Sequence, residues 1–242
     1  MKKTALVTGA SGGIGQRVAE SLAENNYNLY LHYHQNHQAA SRLAEKLNKQ
    51  FDVSATLIQC DFSSKTEVNR ISDEITTSLD AIVLTSGISR IGLITDMTDE
   101  LVEEMIHIHV SSPFKLIRNL LPPMISRKKG SIVVISSIWG ETGAACEVLY
   151  SMAKGAQHSF VKALAKEVAP SGIRVNAVAP GAINTAMNEQ FSDEEIRMMS
   201  EEIPMGRLGK PNEIAGCVEF LLSEKSSYMT GQILSANGGW LC

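Results

Sequence analysis

Apolar residues along this chain fall into two alternating regimes. In seven short runs, at 4–8, 28–32, 54–59, 80–84, 131–136, 173–179 and 232–235, they are nearly continuous, as in Ile132-Val133-Val134-Ile135. Between the runs they recur every third or fourth position, at 14–25, 38–49, 65–77, 99–127, 148–169 and 211–222. The first regime predicts strands and the second predicts amphipathic helices, because side chains alternate across a strand but return to one helix face each turn. Strands that are apolar on both faces must be covered on both faces, as parallel strands joined through helices are. The pattern therefore predicts an α/β chain with a parallel sheet wound by helices on both sides. Pro113 lacks the N–H that a helix interior needs, so 99–127 is expected to bend there.

No linker, low-complexity tract or fixed-period repeat divides the 242 residues, so 1–242 reads as one domain. The one long connection without strand character is 180–210, which carries its own short helix at 193–202 and reads as a substrate lid. With 44% hydrophobic and 20% charged residues the disordered class is excluded. The 22 basic against 26 acidic residues give a formal charge of -4, which offers no general surface for nucleic acid or anionic lipid. The apolar runs are too short for a signal-peptide core or a membrane span, and a cytoplasmic protein is expected. Cys60, Cys146, Cys217 and Cys242 are scattered, without metal-ligand or disulfide spacing.

Candidate chemistry begins at Gly9-Ala10-Ser11-Gly12-Gly13-Ile14-Gly15, between the first strand and the first helix. Small residues there admit a pyrophosphate close to the backbone, and the helix N-terminus favours its charge; the plain alternative is a tight turn. Past the fifth strand come Ser137, then Tyr150 and Lys154, four residues apart and so on one helix face. An ammonium beside a phenol favours the phenolate and suits the pair to proton transfer, although such a pair is also a common surface contact.

The ordered set of Thr8 with this turn, Asp61, Ser137, Tyr150-Ser151-Met152-Ala153-Lys154, Val175-Asn176-Ala177-Val178-Ala179-Pro180-Gly181, and Thr230-Gly231 to Gly238-Gly239 resembles the short-chain dehydrogenases/reductases over nearly the whole chain. The resemblance implies a single-domain Rossmann fold, a doubly wound seven-stranded sheet of order 3-2-1-4-5-6-7, and a nicotinamide dinucleotide at the carboxyl ends of the strands. It implies that Tyr150 donates a proton to a substrate carbonyl, that Lys154 lowers the Tyr150 pKa and binds ribose, and that Ser137 orients the carbonyl. The dinucleotide would lie on Gly9, Ser11, Gly13, Ile14, Gly15, His34, Asp61, Phe62, Ser86, Gly87, Pro180, Gly181, Ile183 and Thr185, together with Tyr150 and Lys154. By the same resemblance, the long helices from 99 and 148 imply a homotetramer.

Two departures stand out. Leu84-Thr85-Ser86-Gly87 replaces the usual Asn-Asn-Ala-Gly, and His109 stands at the position of the catalytic Asn. His109 is a candidate for the same proton relay through a ring nitrogen, or else a packed core histidine. At the end of the second strand, His32-Tyr33-His34-Gln35-Asn36-His37 contains no carboxylate to repel a 2'-phosphate, which favours NADPH over NADH.

The segment between Ser137 and Tyr150 carries Trp139, Glu141 and Glu147. Carboxylates beside a purely apolar ketone would be costly, whereas a cationic substrate supplies their partner and Trp139 adds a cation-π face. The plain alternative has Glu147 capping the next helix and Glu141 in solvent. The run from Ser136-Ser137-Ile138-Trp139-Gly140-Glu141 through Cys146-Glu147 to Gln157-His158-Ser159-Phe160 more closely resembles the family's reductases of the 5-aminopentanone group carried by a lysine of elongation factor P. That implies elongation factor P as protein substrate. The alternative is reduction of a 3-oxoacyl group on acyl carrier protein, which would dock on Arg127-Lys128-Lys129; a non-catalytic dinucleotide sensor is a third reading.

Overall fold

The computed structural model describes residues 2–186 and 191–241. Its seven strands are β1 (Lys3–Thr8), β2 (Tyr27–Tyr33), β3 (Ala55–Gln59), β4 (Ala81–Leu84), β5 (Gly130–Ile135), β6 (Ile173–Pro180) and β7 (Ile233–Ala236). They form one parallel sheet of order β3-β2-β1-β4-β5-β6-β7. The order reverses beside β1, where β2 leaves on one side and β4 on the other, and this opens a crevice at the carboxyl ends of those strands.

Side-chain alternation along the strands feeds two cores. Ala5, Val7, Val133 and Ile135 point to a layer of α1 (Gly13–Glu24), α2 (His37–Gln50) and α9 (Pro211–Leu222). Leu6, Ile132 and Val134 point to a layer of α3 (Val68–Glu74), α5 (Ser112–Arg127) and α7 (Val148–Val168). The buried apolar surface on both faces explains why the strand runs are continuous. The chain adds α4 (Asp99–Ile106), a one-turn α6 (Trp139–Thr142) and α8 (Asp193–Glu202). Among the described residues, no helix is long and apolar enough to cross a membrane.

Two helix expectations are corrected. The helix expected over 65–77 is only Val68–Glu74: the Tyr30 hydroxyl accepts from the Thr76 N–H and lies within hydrogen-bond reach of the Thr76 and Thr77 hydroxyls, which draws the chain out of the helix. In 99–127 the irregularity precedes Pro113. Residues His107–Ser111 form a π-turn in which the Ser112 N–H donates to the His107 carbonyl, five residues back. Pro113, with no N–H, leaves the His109 carbonyl without its usual α-helical donor.

The 180–210 connection is tied at its base by a bridge between Ile183 and Gly209, with Asn184 N–H on the Gly209 carbonyl at 2.8 Å and Gly209 N–H on the Ala182 carbonyl at 2.9 Å. Its helix α8 has the expected bounds and starts in a capping box, Ser192 with Glu195. Residues 187–190 lie outside the described residues.

Candidate active site

A cleft of about 730 Å³ runs along the carboxyl ends of the strands, from the β1–α1 turn to α7 and the 180–210 connection. Every residue expected to hold the dinucleotide lines it, from Gly9 and Ser11 through His34, Asp61, Phe62, Ser86 and Gly87 to Thr185, as do Ser137, Trp139, Glu147, Tyr150 and Lys154. His109 and Glu141 are not among its walls.

At one end, α1 has Gly12 at its N-cap position with no side-chain cap, and the N–H groups of Gly13, Ile14 and Gly15 make no hydrogen bond among the described residues. Three free donors at a helix N-terminus form a natural seat for phosphate. The turn is tight enough to require glycine. A Cβ on Gly15 would lie 2.3 Å from the Gly9 carbonyl oxygen, and Gly9 itself has φ +62°. Sequence reasoning passed over the brace behind it, His32. The buried His32 ring accepts the Gly9 N–H at Nδ1 (3.1 Å), reaches the Cys60 carbonyl with Nε2 (3.0 Å), and stacks on Phe62 at 4.4 Å. Burial lowers its pKa to about 4, so it is a neutral strut that fixes the phosphate turn to the end of β3.

Next along the cleft, Asp61 accepts from the Ser63 N–H and hydroxyl, both at 2.8 Å, so it holds its own turn while its rim faces the cavity. His34 Nε2 lies 3.6 Å from Asp61 Oδ2. These residues fit a dinucleotide: a glycine cradle with free donors, a polar adenosine end, and a cavity of ligand size. Thr185, from the 180–210 connection, closes over the glycine turn, since a Cβ on Gly13 would sit 2.9 Å from its methyl group.

The reaction end is carried by β5 and α7. Ser137 lies two residues past β5, receives the Trp139 N–H at its hydroxyl (3.2 Å), and stands beside the Tyr150 hydroxyl. Burial raises the Tyr150 pKa, the Glu147 carboxylate adds to that, and Ser137 opposes it. The phenol is therefore kept protonated near neutrality, the form that can donate a proton. Lys154, one turn on, lies 5.3 Å from the Tyr150 ring centre, and burial lowers its pKa to about 7.

Of the two carboxylates, only Glu147 faces the cleft. It occupies the N-cap position of α7 but makes no capping bond; its side chain instead accepts from the Ser89 hydroxyl (3.3 Å) and lies beside the Trp139 indole, which favours its charged form. Desolvation raises its pKa, and no cation among the described residues lies within ion-pair distance of it. Glu141 is corrected: it is exposed and accepts from the Ser235 hydroxyl at 2.7 Å, on the other side of α6 from Trp139. Two helical residues lie about 200° apart, so Trp139 and Glu141 cannot both face one cavity.

His109, read as either a relay residue or a packed core histidine, lies behind the cleft wall beside Tyr150. Its ring is buried edge-on to Tyr150 at 5.7 Å, its Nε2 lies 2.9 Å from the Ile88 carbonyl, and its Nδ1 has no partner. Burial first, then Lys154, pushes its pKa to about 3, so the ring is neutral. Gly87 makes room for it, since a Cβ there would lie 2.8 Å from His109 Cε1. The connection to Lys154 runs through the His109 main-chain carbonyl and Gln157. Also unforeseen was Trp240, which meets Trp139 edge-on at 5.3 Å on the cavity wall. No spacing in the sequence links residue 240 to 139; the contact exists only because β7 lies beside β6.

Comparison with known proteins agrees with this geometry. The family described as Enoyl-(Acyl carrier protein) reductase matches residues 9–241. An uncharacterized oxidoreductase, YmfI, of Bacillus subtilis (strain 168) is 61% identical over 242 residues, covering 100% of both chains. The 3-oxoacyl-[acyl-carrier-protein] reductase FabG of Aquifex aeolicus (strain VF5) is 37% identical over 240 residues, 98% of this chain and 96% of that one. Among solved structures, a 3-oxoacyl-[acyl-carrier protein] reductase from Brucella melitensis ATCC 23457 superposes with TM-score 0.92 at 31% identity, covering 99% of this chain and 92% of that one. A short chain dehydrogenase/reductase family protein superposes with TM-score 0.90 at 27% identity, covering 98% and 97%. With its sheet order, glycine turn and Ser137, Tyr150 and Lys154 in one cleft, this chain belongs to the short-chain dehydrogenase/reductase family of oxidoreductases.

Proposed function

We propose that the chain is an NADPH-dependent reductase that turns a ketone into a secondary alcohol on a substrate bearing an amine, namely the 5-aminopentanone group on a lysine of elongation factor P. The observation that carries this reading is Glu147. It is a half-buried carboxylate in the cleft, raised in pKa, near Tyr150, held by Ser89 and Trp139, with no cation within ion-pair distance among the described residues. A bound ammonium completes it, and Trp139 with Trp240 supplies an aromatic wall for the same charge.

When bound, the reduced nicotinamide supplies the hydride. Ser137 donates to the carbonyl oxygen and holds it against Tyr150, which transfers its proton to that oxygen as negative charge develops. Lys154 stabilises the phenolate left behind. NADPH is favoured because the end of β2 offers His34 and Gln35 to the cavity where a carboxylate would repel a 2'-phosphate. The 180–210 connection, which brings Phe191 and Met199 to the cleft, is proposed as the lid.

The FabG relatives support a second reading, reduction of a 3-oxoacyl group on acyl carrier protein. The basic run at 127–129 does not favour it: Arg127 and Lys129 approach Asp80 (3.9 and 3.3 Å) at the amino ends of β4 and β5, away from the cleft. The two readings separate in one experiment. Glu147→Gln should raise KM for the aminopentanone substrate about tenfold or more, the scale of one lost charge-assisted contact, and leave KM for acetoacetyl carrier protein within about twofold. Equal effects on both substrates would remove the role given to Glu147.

A further inference from the structure

Lys154 is a buried ammonium with no carboxylate in ion-pair contact among the described residues. Its Nζ donates to the Ile135 carbonyl at 3.1 Å and to Gln157 Oε1 at 3.3 Å. Gln157 is buried too, one turn along the same face of α7, and the other half of its amide is committed: Nε2 donates to the His109 carbonyl at 2.9 Å. That carbonyl is available because Pro113 has no N–H to offer and the chain winds as a π-turn through His107–Ser111. Oxygen faces a cation and nitrogen faces a carbonyl, so a flipped amide would set like against like at both ends. The side chain therefore has one orientation, and it links the π-turn to the ammonium.

We infer that Gln157 is a positioning residue for the reaction at Tyr150: it ties Lys154 Nζ to the carbonyl freed at the π-turn and so holds the ammonium close to the phenol. With two donors of Nζ spent on Ile135 and Gln157, one remains for the reaction side of the site. The inference rests on the proposed role of Lys154 in stabilising the phenolate.

The groups facing Lys154 allow a clean readout. Tyr150 and His158 lie on its own helix and His109 on the π-turn, while β5 contributes the Ile135 carbonyl to Nζ and Ser136, just past the strand, donates its hydroxyl to the Lys154 main-chain carbonyl. Burial holds both histidines below their ordinary pKa and Tyr150 above its own, which leaves Lys154 as the group that titrates near neutrality. Ketone reduction should therefore fall on an alkaline limb as Lys154 loses its proton.

The test is kcat against pH with NADPH, on aminopentanone-modified elongation factor P or acetoacetyl carrier protein, whichever the wild type reduces. Gln157→Leu removes the acceptor; it should lower kcat about tenfold and move the limb down by about one pH unit. The isosteric Gln157→Glu places a carboxylate on the ammonium and should move the limb up. Displacement in opposite directions does not follow from a merely structural loss, and NADPH binding by fluorescence checks that both variants fold. Unmoved limbs, or limbs moved the same way, would overturn the inference. Lys154→Met reports separately on the reading beneath it: loss of turnover supports that reading, and retained turnover refutes it and the inference with it.

Discussion

Glu147 and Glu141 stand six residues apart in one loop, and the sequence presents them as equals. The fold separates them, because α6 inserts a single helical turn between Ser137 and α7 that sends Trp139 into the cleft and Glu141 toward Ser235. That turn is too short to announce itself by periodicity. Two buried histidines carry a prediction at the same scale. His32 and His109 are held neutral, with pKa values lowered to about 4 and about 3. Between those values and the unfolded value of about 6.5, the unfolded chain binds protons that the native chain does not, so stability rises with pH across this window and is lost as pH falls through it. Each histidine accounts for about 1.4 kcal/mol per pH unit there. Thermal unfolding midpoints should drop between about pH 6.5 and pH 4, and His32→Asn should make the drop shallower; an unchanged slope would show that the His32 ring is not buried neutral.

Among the elements, all seven strands and the helices at 14–25, 38–49, 148–169 and 211–222 were legible, since each buries enough apolar surface to impose its own period. What escaped was set by contacts between distant segments. Tyr30 ends α3 by capturing Thr76 and Thr77, and the π-turn at His107–Ser111 is stabilised by Gln157 from another helix. The glycine turn is the element whose chemistry the sequence states most fully, and it yields a sharp expectation. Alanine favours a helix over glycine by about 1 kcal/mol, yet a Cβ at Gly15 would lie 2.3 Å from the Gly9 carbonyl, a clash with backbone that cannot rotate away. The clash should win: Gly15→Ala is expected to weaken NADPH binding at least about tenfold and to lower the melting temperature. Calorimetric titration beside a thermal melt measures both, and unchanged binding would mean that the turn is not where the dinucleotide sits.

For the molecule as a whole, the charge of -4 says little until it is located. At the reaction end of the cleft Glu147 has no cation within ion-pair distance among the described residues, and the basic run at 127–129 lies at the far end of the sheet. Phe114 on α5 and Val148 and Met152 on α7 are exposed apolar side chains, with Phe114 meeting Phe160 of α7 at 6.0 Å, and we propose that these two helices are covered in a homotetramer. Phe114→Arg should shift the sedimenting species to a smaller assembly; a wild-type monomer would refute the proposal. The assignment to a cationic ketone is the central claim, and intact-mass spectrometry tests it most directly. Incubated with NADPH, the enzyme should add the mass of two hydrogen atoms to aminopentanone-modified elongation factor P, and Tyr150→Phe should not. No gain in mass on that protein, alongside rapid reduction of acetoacetyl carrier protein, would contradict it.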